Sequence, residues 1–172
     1  MLSDTRDHKR TVRKMDTENK IQQELIAKFT YLDGKVKISR IRRIFVEVTQ
    51  EKFTDVFEYL INNEGFLHLC TITGLDEGAT FGIIYHLSEK NGIVINIKTS
   101  IPKENPVLKT ITPYFPGAEI YERELTDLLG FEIDTLPPGS RYPLPDDWPH
   151  DEFPLRKDWK PKELKPEEKK NA

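Results

Sequence analysis

Few residues in this chain could do chemistry. The histidines are His8, His68, His86 and His150, and the one cysteine is Cys70. His150 stands in "DDWPHDEF", with Asp146, Asp147, Asp151 and Glu152 around it. Carboxylates suit a hard divalent cation. The cluster lacks the ligand spacing of an EF-hand loop, however, so a solvated acidic turn is the simpler expectation. His8 lies in a charged stretch. His68 and His86 fall in apolar, β-rich runs, where a paired or partly buried imidazole is expected. Cys70, inside "FLHLCTI", reads as a buried, inert thiol. A single cysteine excludes an intramolecular disulfide and any cysteine-rich metal or iron–sulfur site built by this chain alone. No Walker A, GxGxxG, HExxH or GxSxG pattern is present, so no motif points to a bound nucleotide or cofactor.

Glu122 and Glu124 are the remaining candidates for acid–base work. They belong to "EIYERELTDLLG", residues 119–130. On a helix, Ala118, Tyr121, Leu125, Leu128 and Leu129 fall on one side. Glu119, Arg123 and Asp127 are four apart on the other, a ladder in which the arginine can pair with either acid. Glu122 and Glu124 flank the apolar stripe on its two edges and point apart, a poor arrangement for a catalytic pair. The pattern suits both a solvated outer face and a face that meets a partner.

The surrounding elements predict an α+β fold: one mostly antiparallel sheet covered by two or three helices, followed by a Pro-rich extended C-terminal strap. Asn19 with Gln22 resembles a helix N-cap box. Ile21, Leu25, Phe29 and Leu32 keep one face, and Gly34 can end that helix. Ile44, Val46 and Val48 alternate as in a half-buried strand. Phe53, Val56, Phe57, Leu60 and Ile61 mark a second helix that Gly65 can stop. Residues 66–75, 80–88 and 93–101 are β-rich, and Asn91-Gly92 supplies a hairpin turn between the last two. Asn105-Pro106 offers the start of a short helix. The charged helix follows Pro116-Gly117.

Charge and proline divide the chain further. Residues 1–20 carry six Lys/Arg against four acids, residues 156–172 seven against four, and residues 21–155 13 against 21. An acidic body argues against general nucleic-acid binding. No apolar run approaches the roughly 20 residues of a membrane-spanning helix, and "MLSDTRDHKRTVRKMDTENK" lacks the apolar core of a secretory signal. Membrane contact is therefore expected only through partners. Eight of the 12 prolines lie between Pro137 and Pro166, so that region is neither regular helix nor central strand. Trp148, Phe153, Leu155 and Trp159 give it anchors that a free linker rarely carries. The expected division is a charged extension over 1–18, an α+β domain over 19–135 and a Pro-rich segment over 136–172 that wraps a partner.

The stretch "PGAEIYERELTDLLGFEI" resembles the signature of the 30-kDa subunit family of respiratory complex I, whose members are also called the C subunit of NADH dehydrogenase. Glu122, Arg123, Glu124, Asp127, Leu128, Leu129 and Gly130 match it in order. "FPLRKDW", residues 153–159, matches the family's Pro-Leu-Arg-Lys-Asp-aromatic element. The resemblance spans residues 20–160. It implies a peripheral-arm subunit with no cofactor of its own, packed on a hydrogenase-like large subunit (49-kDa type) and next to a small iron–sulfur subunit. The nickel–iron centre and iron–sulfur clusters would sit in those partners. It also implies a place on the cytoplasmic side of the cell membrane.

Departures from the respiratory pattern refine this expectation. Ile120 stands where tryptophan is common and Glu152 where glycine is usual. Arg141 stands in for an arginine of a Gly-His-Pro-Asp-Leu-Arg-Arg type segment whose His-Asp element is missing. These features are more similar to the membrane-bound nickel–iron hydrogenases and related ferredoxin-linked complexes, with the quinone-reducing branch as the alternative. The expected interface comprises Glu119, Glu122, Arg123, Glu124, Asp127, Arg141, Trp148, Phe153, Pro154, Leu155, Arg156, Lys157, Asp158 and Trp159. Two other classes remain open: a metal-dependent enzyme built around His150, and an assembly factor for the large subunit.

Overall fold

A computed structural model describes residues 4–161, with side chains from residue 16 onward. The lysine-rich end beyond residue 161 lies outside the described residues. The elements are α1 (Asp4–Lys28), β1 (Val36–Arg40), β2 (Arg43–Glu47), α2 (Gln50–Asn62), β3 (His68–Asp76), β4 (Thr80–Ser88), β5 (Val94–Pro102), β6 (Val107–Lys109), α3 (Ala118–Leu129) and β7 (Glu132–Asp134). The main sheet has the order β1-β2-β5-β4-β3. Only its β2–β5 contact is parallel. A second, two-stranded sheet pairs β6 with β7 in parallel. This is the mixed α+β architecture that the sequence predicts.

Period-2 burial aligns across the sheet. Val36, Val46, Ile97, Tyr85 and Ile72 are successive cross-strand neighbours, all buried on one face. The helices pack there. Phe53 and Phe57 of α2 stack on Tyr85, with ring centroids at 4.5 and 5.9 Å. Leu125 and Leu129 of α3 lie over Gly74, where a Cβ would sit 2.5 Å from a methyl of each. The helix can approach β3 that closely only because position 74 has no side chain. The opposite face carries a polar ladder. Asn96 donates from Nδ2 to Ile44 O at 2.8 Å, so its Oδ1 accepts from His86 Nδ1 at 2.6 Å, while His86 Nε2 meets Thr73 Oγ1 at 3.1 Å.

Several local expectations change. The first helix does not start at Asn19: α1 runs through it from Asp4, and Asn19 is an exposed helical residue. It ends at Lys28, and a 3-10 turn over Thr30–Leu32 precedes Gly34. Glu18 is fully buried and accepts the Arg42 backbone N–H at 2.6 Å. The short helix expected after Asn105-Pro106 is instead β6, because Val107–Lys109 finds a strand partner in Glu132–Asp134. Cys70 is exposed rather than buried. It sits on the edge strand β3, where the register shifts between Leu69 and Thr71 and a bulge turns it outward.

Candidate docking site

Helix α3 is the element on which the site is built. Gly130 ends it at φ 75°, and its N–H bonds Thr126 O while Phe131 N–H bonds Leu125 O. This is a left-handed glycine cap. It leaves the carbonyls of the last turn to be satisfied from elsewhere. The 153–159 segment does this. Leu155 N donates to Leu128 O at 3.0 Å, and Arg156 donates from Nε to Leu129 O at 2.6 Å and from Nη2 to Gly130 O at 3.4 Å. The Arg156 guanidinium lies 4.2 Å from the Phe153 ring centroid and 5.3 Å from that of Phe81. A cation at a helix C-terminus also complements the macrodipole. Position 130 is therefore doubly restricted: its φ favours glycine, and a Cβ there would collide with Arg156 Nη2.

The next residues are held by Asp76 at the end of β3. Its Oδ2 accepts Lys103 Nζ at 2.8 Å and Lys157 N at 2.9 Å, and its Oδ1 accepts Gly78 N at 2.9 Å. Lys103 also reaches Asp158 at 3.2 Å. The hydrogen bond from Lys103, then that from the Lys157 backbone, holds the Asp76 carboxyl well below the usual carboxylate range. The Asp76 carboxylate correspondingly raises the Lys103 ammonium.

The charged face of α3 is also covered by its own chain. Arg123 pairs with Glu119 at 2.8 Å and donates to Pro137 O at 2.5 Å. Asp127 does not complete the expected ladder with Arg123. It accepts Arg141 Nε at 3.4 Å and Tyr142 N at 2.7 Å, and Arg141 goes on to Trp148 O at 2.5 Å. Trp148 and Trp159 face each other with centroids 6.0 Å apart, and both indole N–H groups donate to Glu152. A cavity of about 420 Å³ remains between α3 and this segment, walled by Arg123, Asp127, Arg141, His150 and Phe153.

Glu122 is not at an edge but buried. Its Oε1 accepts Ile111 N at 2.7 Å and its Oε2 accepts Thr110 Oγ1 at 2.6 Å. Burial pushes its carboxyl upward, against the two hydrogen bonds that favour the anion. It ties α3 to the chain before it and points away from the surface. Glu124 is half-buried, as are Phe153 and Pro154. Among the described residues, no three His, Cys, Asp or Glu side chains converge on one point.

Alongside exposed charges such as Asp146, Asp147, Lys157 and Asp158, α3 and the following segment turn three apolar side chains outward. Ile120, Tyr142 and Leu155 are 52%, 51% and 56% exposed. Leu155 is among the sequence candidates, whereas Ile120 and Tyr142 are not. The helical projection carries the signal for Ile120, an isoleucine off the buried stripe. No comparable pattern marks Tyr142.

These features define an α+β domain carrying a clasp, in which a Pro-rich segment is fastened back onto a signature helix. The chain belongs to the family described as respiratory-chain NADH dehydrogenase, 30 Kd subunit, which matches residues 46–165. It is 31% identical over 142 residues to the C subunit of F(420)H(2) dehydrogenase from Methanosarcina mazei, covering 81% of this chain and 89% of that one. It is 29% identical over 122 residues to membrane-bound hydrogenase subunit beta of Pyrococcus furiosus, covering 69% and 70%. Over 119 residues it is 32% identical to the C subunit of NADH-quinone oxidoreductase from Roseiflexus castenholzii, covering 66% and 67%. A chain in the structure of the membrane-bound sulfane sulfur reductase, an archaeal respiratory membrane complex, superposes with a TM-score of 0.73 at 26% identity, covering 83% of this chain and 85% of that one. A trypsin-resistant fragment of Nqo5 shares the fold at a TM-score of 0.59 and 23% identity, covering 72% of this chain and 99% of the fragment. The relatives are thus subunits of hydrogenase, dehydrogenase and complex-I-type assemblies. No helix among the described residues is long and apolar enough to cross a membrane.

Proposed function

We propose that the chain is a non-catalytic, cofactor-free subunit in the peripheral arm of a complex-I-like membrane oxidoreductase. In this reading the complex is a ferredoxin-dependent, hydrogen-evolving nickel–iron hydrogenase. The subunit docks on the hydrogenase-like large subunit, beside the small iron–sulfur subunit, on the cytoplasmic side. The observation that carries this reading is the division of labour in the clasp. Arg123, Asp127, Arg141 and Arg156 are spent on contacts within the chain. Ile120, Tyr142 and Leu155 are held outward on a preordered backbone. Apolar anchors on a preorganised segment bind with little loss of ordering entropy.

Affinity purification of the tagged chain from native membranes tests this. The expected result is a complex with one copy of this chain per large subunit, with nickel present and redox turnover retained. Recovery of the chain alone, or only with an immature large subunit, overturns it and selects the assembly-factor role. A second reading is the equivalent subunit of an F(420)H(2)-oxidising or quinone-reducing complex. It is favoured by the Methanosarcina relative, whose length is covered at 89% against 70% for the hydrogenase subunit. A co-purified large subunit without nickel or nickel-ligating cysteines selects it.

A further inference from the structure

The family match begins at residue 46, so α1, β1 and the turn of the β1–β2 hairpin lie before it. That hairpin has an unfavourable construction for an isolated chain. Arg40 and Arg43 are direct cross-strand partners, and like charges placed opposite each other repel. Between them, Arg42 takes φ 61°, a backbone region in which turns ordinarily use glycine or asparagine. The chain supports this conformation from behind: the buried Glu18 carboxylate accepts the Arg42 N–H, and Arg42 O accepts Val94 N–H at 3.0 Å. The Arg42 guanidinium lies toward Gly92 of the β4–β5 turn, which also carries the exposed Lys90. None of Arg40, Arg42, Arg43 or Lys90 has an ion-pair partner among the described residues. The nearby Glu89 carboxylate is turned onto Asn91 N and Ile93 N.

We infer that the Arg40–Arg43 hairpin tip, with Lys90, is a second interaction surface that receives an acidic, carboxylate-bearing surface of another protein subunit. Local strain and like-charge pairing at one exposed place persist where the surroundings offset them. An acidic partner would neutralise all four cations together. Three of the four are arginines, whose planar fork matches carboxylates bidentately. The body outside the two chain ends has the opposite sign, with 13 basic against 21 acidic residues. The tip is therefore a local exception able to orient the subunit against an acidic neighbour. This inference rests on the reading that the chain is a subunit of a larger complex.

The test uses the intact complex and zero-length carbodiimide crosslinking, which joins a lysine ammonium to a carboxylate in contact with it. The expected result is a crosslink from Lys90 to an Asp or Glu of an identified neighbouring subunit. Arg40→Glu with Arg43→Glu should then lower retention in the complex about tenfold at moderate salt, the wild type itself weakening as salt rises. If that variant melts below the wild type, the crosslink in the wild-type complex decides alone. Absence of crosslinks between subunits overturns the inference. So does binding of the purified subunit to phosphatidylglycerol vesicles or duplex DNA in place of such a crosslink. Glutamate at Ile120 or Leu155 separates the two readings, because release by those variants with the tip crosslink absent sinks only the second surface. A chain purified without any partner sinks the parent reading.

Discussion

Arg156 Nε lies 2.6 Å from the carbonyl oxygen of Leu129. This contact joins the family's two sequence elements, one on α3 and one 26 or 27 residues downstream, inside a single chain. Read from sequence, both elements look like surfaces offered to a partner. In the structure much of each serves to hold the other, and the partner is left with what the clasp turns outward.

Arg156→Ala should therefore destabilise the isolated protein. It removes a charged helix cap and its stacking on Phe153 and Phe81. A loss of about 2 kcal/mol follows from these contacts, or a fall of roughly 4–8 °C in Tm for a protein of this size. Arg156→Lys should recover little, because an ammonium cannot span two carbonyls while stacking. Urea unfolding of the three proteins measures this, and full rescue by lysine would contradict the capping role.

Gly74→Ala tests the approach of α3 to the sheet. The new methyl meets Leu125 and Leu129 at 2.5 Å, and overpacking of this kind costs about 1–3 kcal/mol. Because α3 carries the clasp, trypsin should also cut more readily after Arg156 and Lys157. A variant as stable and as resistant as the wild type would show that the helix can move away freely.

Asp76→Asn tests the second fastening through its pH dependence. The folded-state pKa of Asp76 is depressed. Its contribution is therefore fully present above the ordinary carboxylate value of about 4 and is lost as pH falls below it. The stability gap between wild type and Asp76→Asn should be largest near neutrality and narrow progressively under more acidic conditions. A gap that stays constant down to about pH 3 would assign the effect to something other than the ionised carboxylate.

Much of this architecture is legible in the sequence, where the signal is local and periodic. The strand over 80–88 matches β4 residue for residue, and the helix after Pro116-Gly117 starts at Ala118 and ends before Gly130. The misses share a cause, which is partners distant in sequence. "VKISR" shows too little apolar alternation to announce β1, yet β2 pairs with it. Asn105-Pro106 has the form of a helix start, but a strand partner about 25 residues away prevails. Glu122 projects to the edge of a stripe, and only the Thr110–Ile111 backbone and hydroxyl make its burial tolerable. Asp127 has a ladder partner four residues back, but the loop carrying Arg141 and Tyr142 claims it.

That exchange of partners changes which substitution probes docking. Arg123→Glu removes an intramolecular pair with Glu119 and a bond to Pro137 O. Release of that variant from a complex would therefore mix lost folding with lost binding. Leu155 and Ile120 are more than half exposed, so Leu155→Glu and Ile120→Glu should leave Tm within about 2 °C of the wild type. If these residues anchor the subunit, each glutamate places an unpaired charge in an apolar contact. The subunit should then be lost from the purified complex at the first wash. Retention of both variants at wild-type stoichiometry would exclude the outward apolar face as the anchor. Docking would then rest on the Arg123–Arg141 cavity side of the clasp or on the Arg40–Arg43 tip.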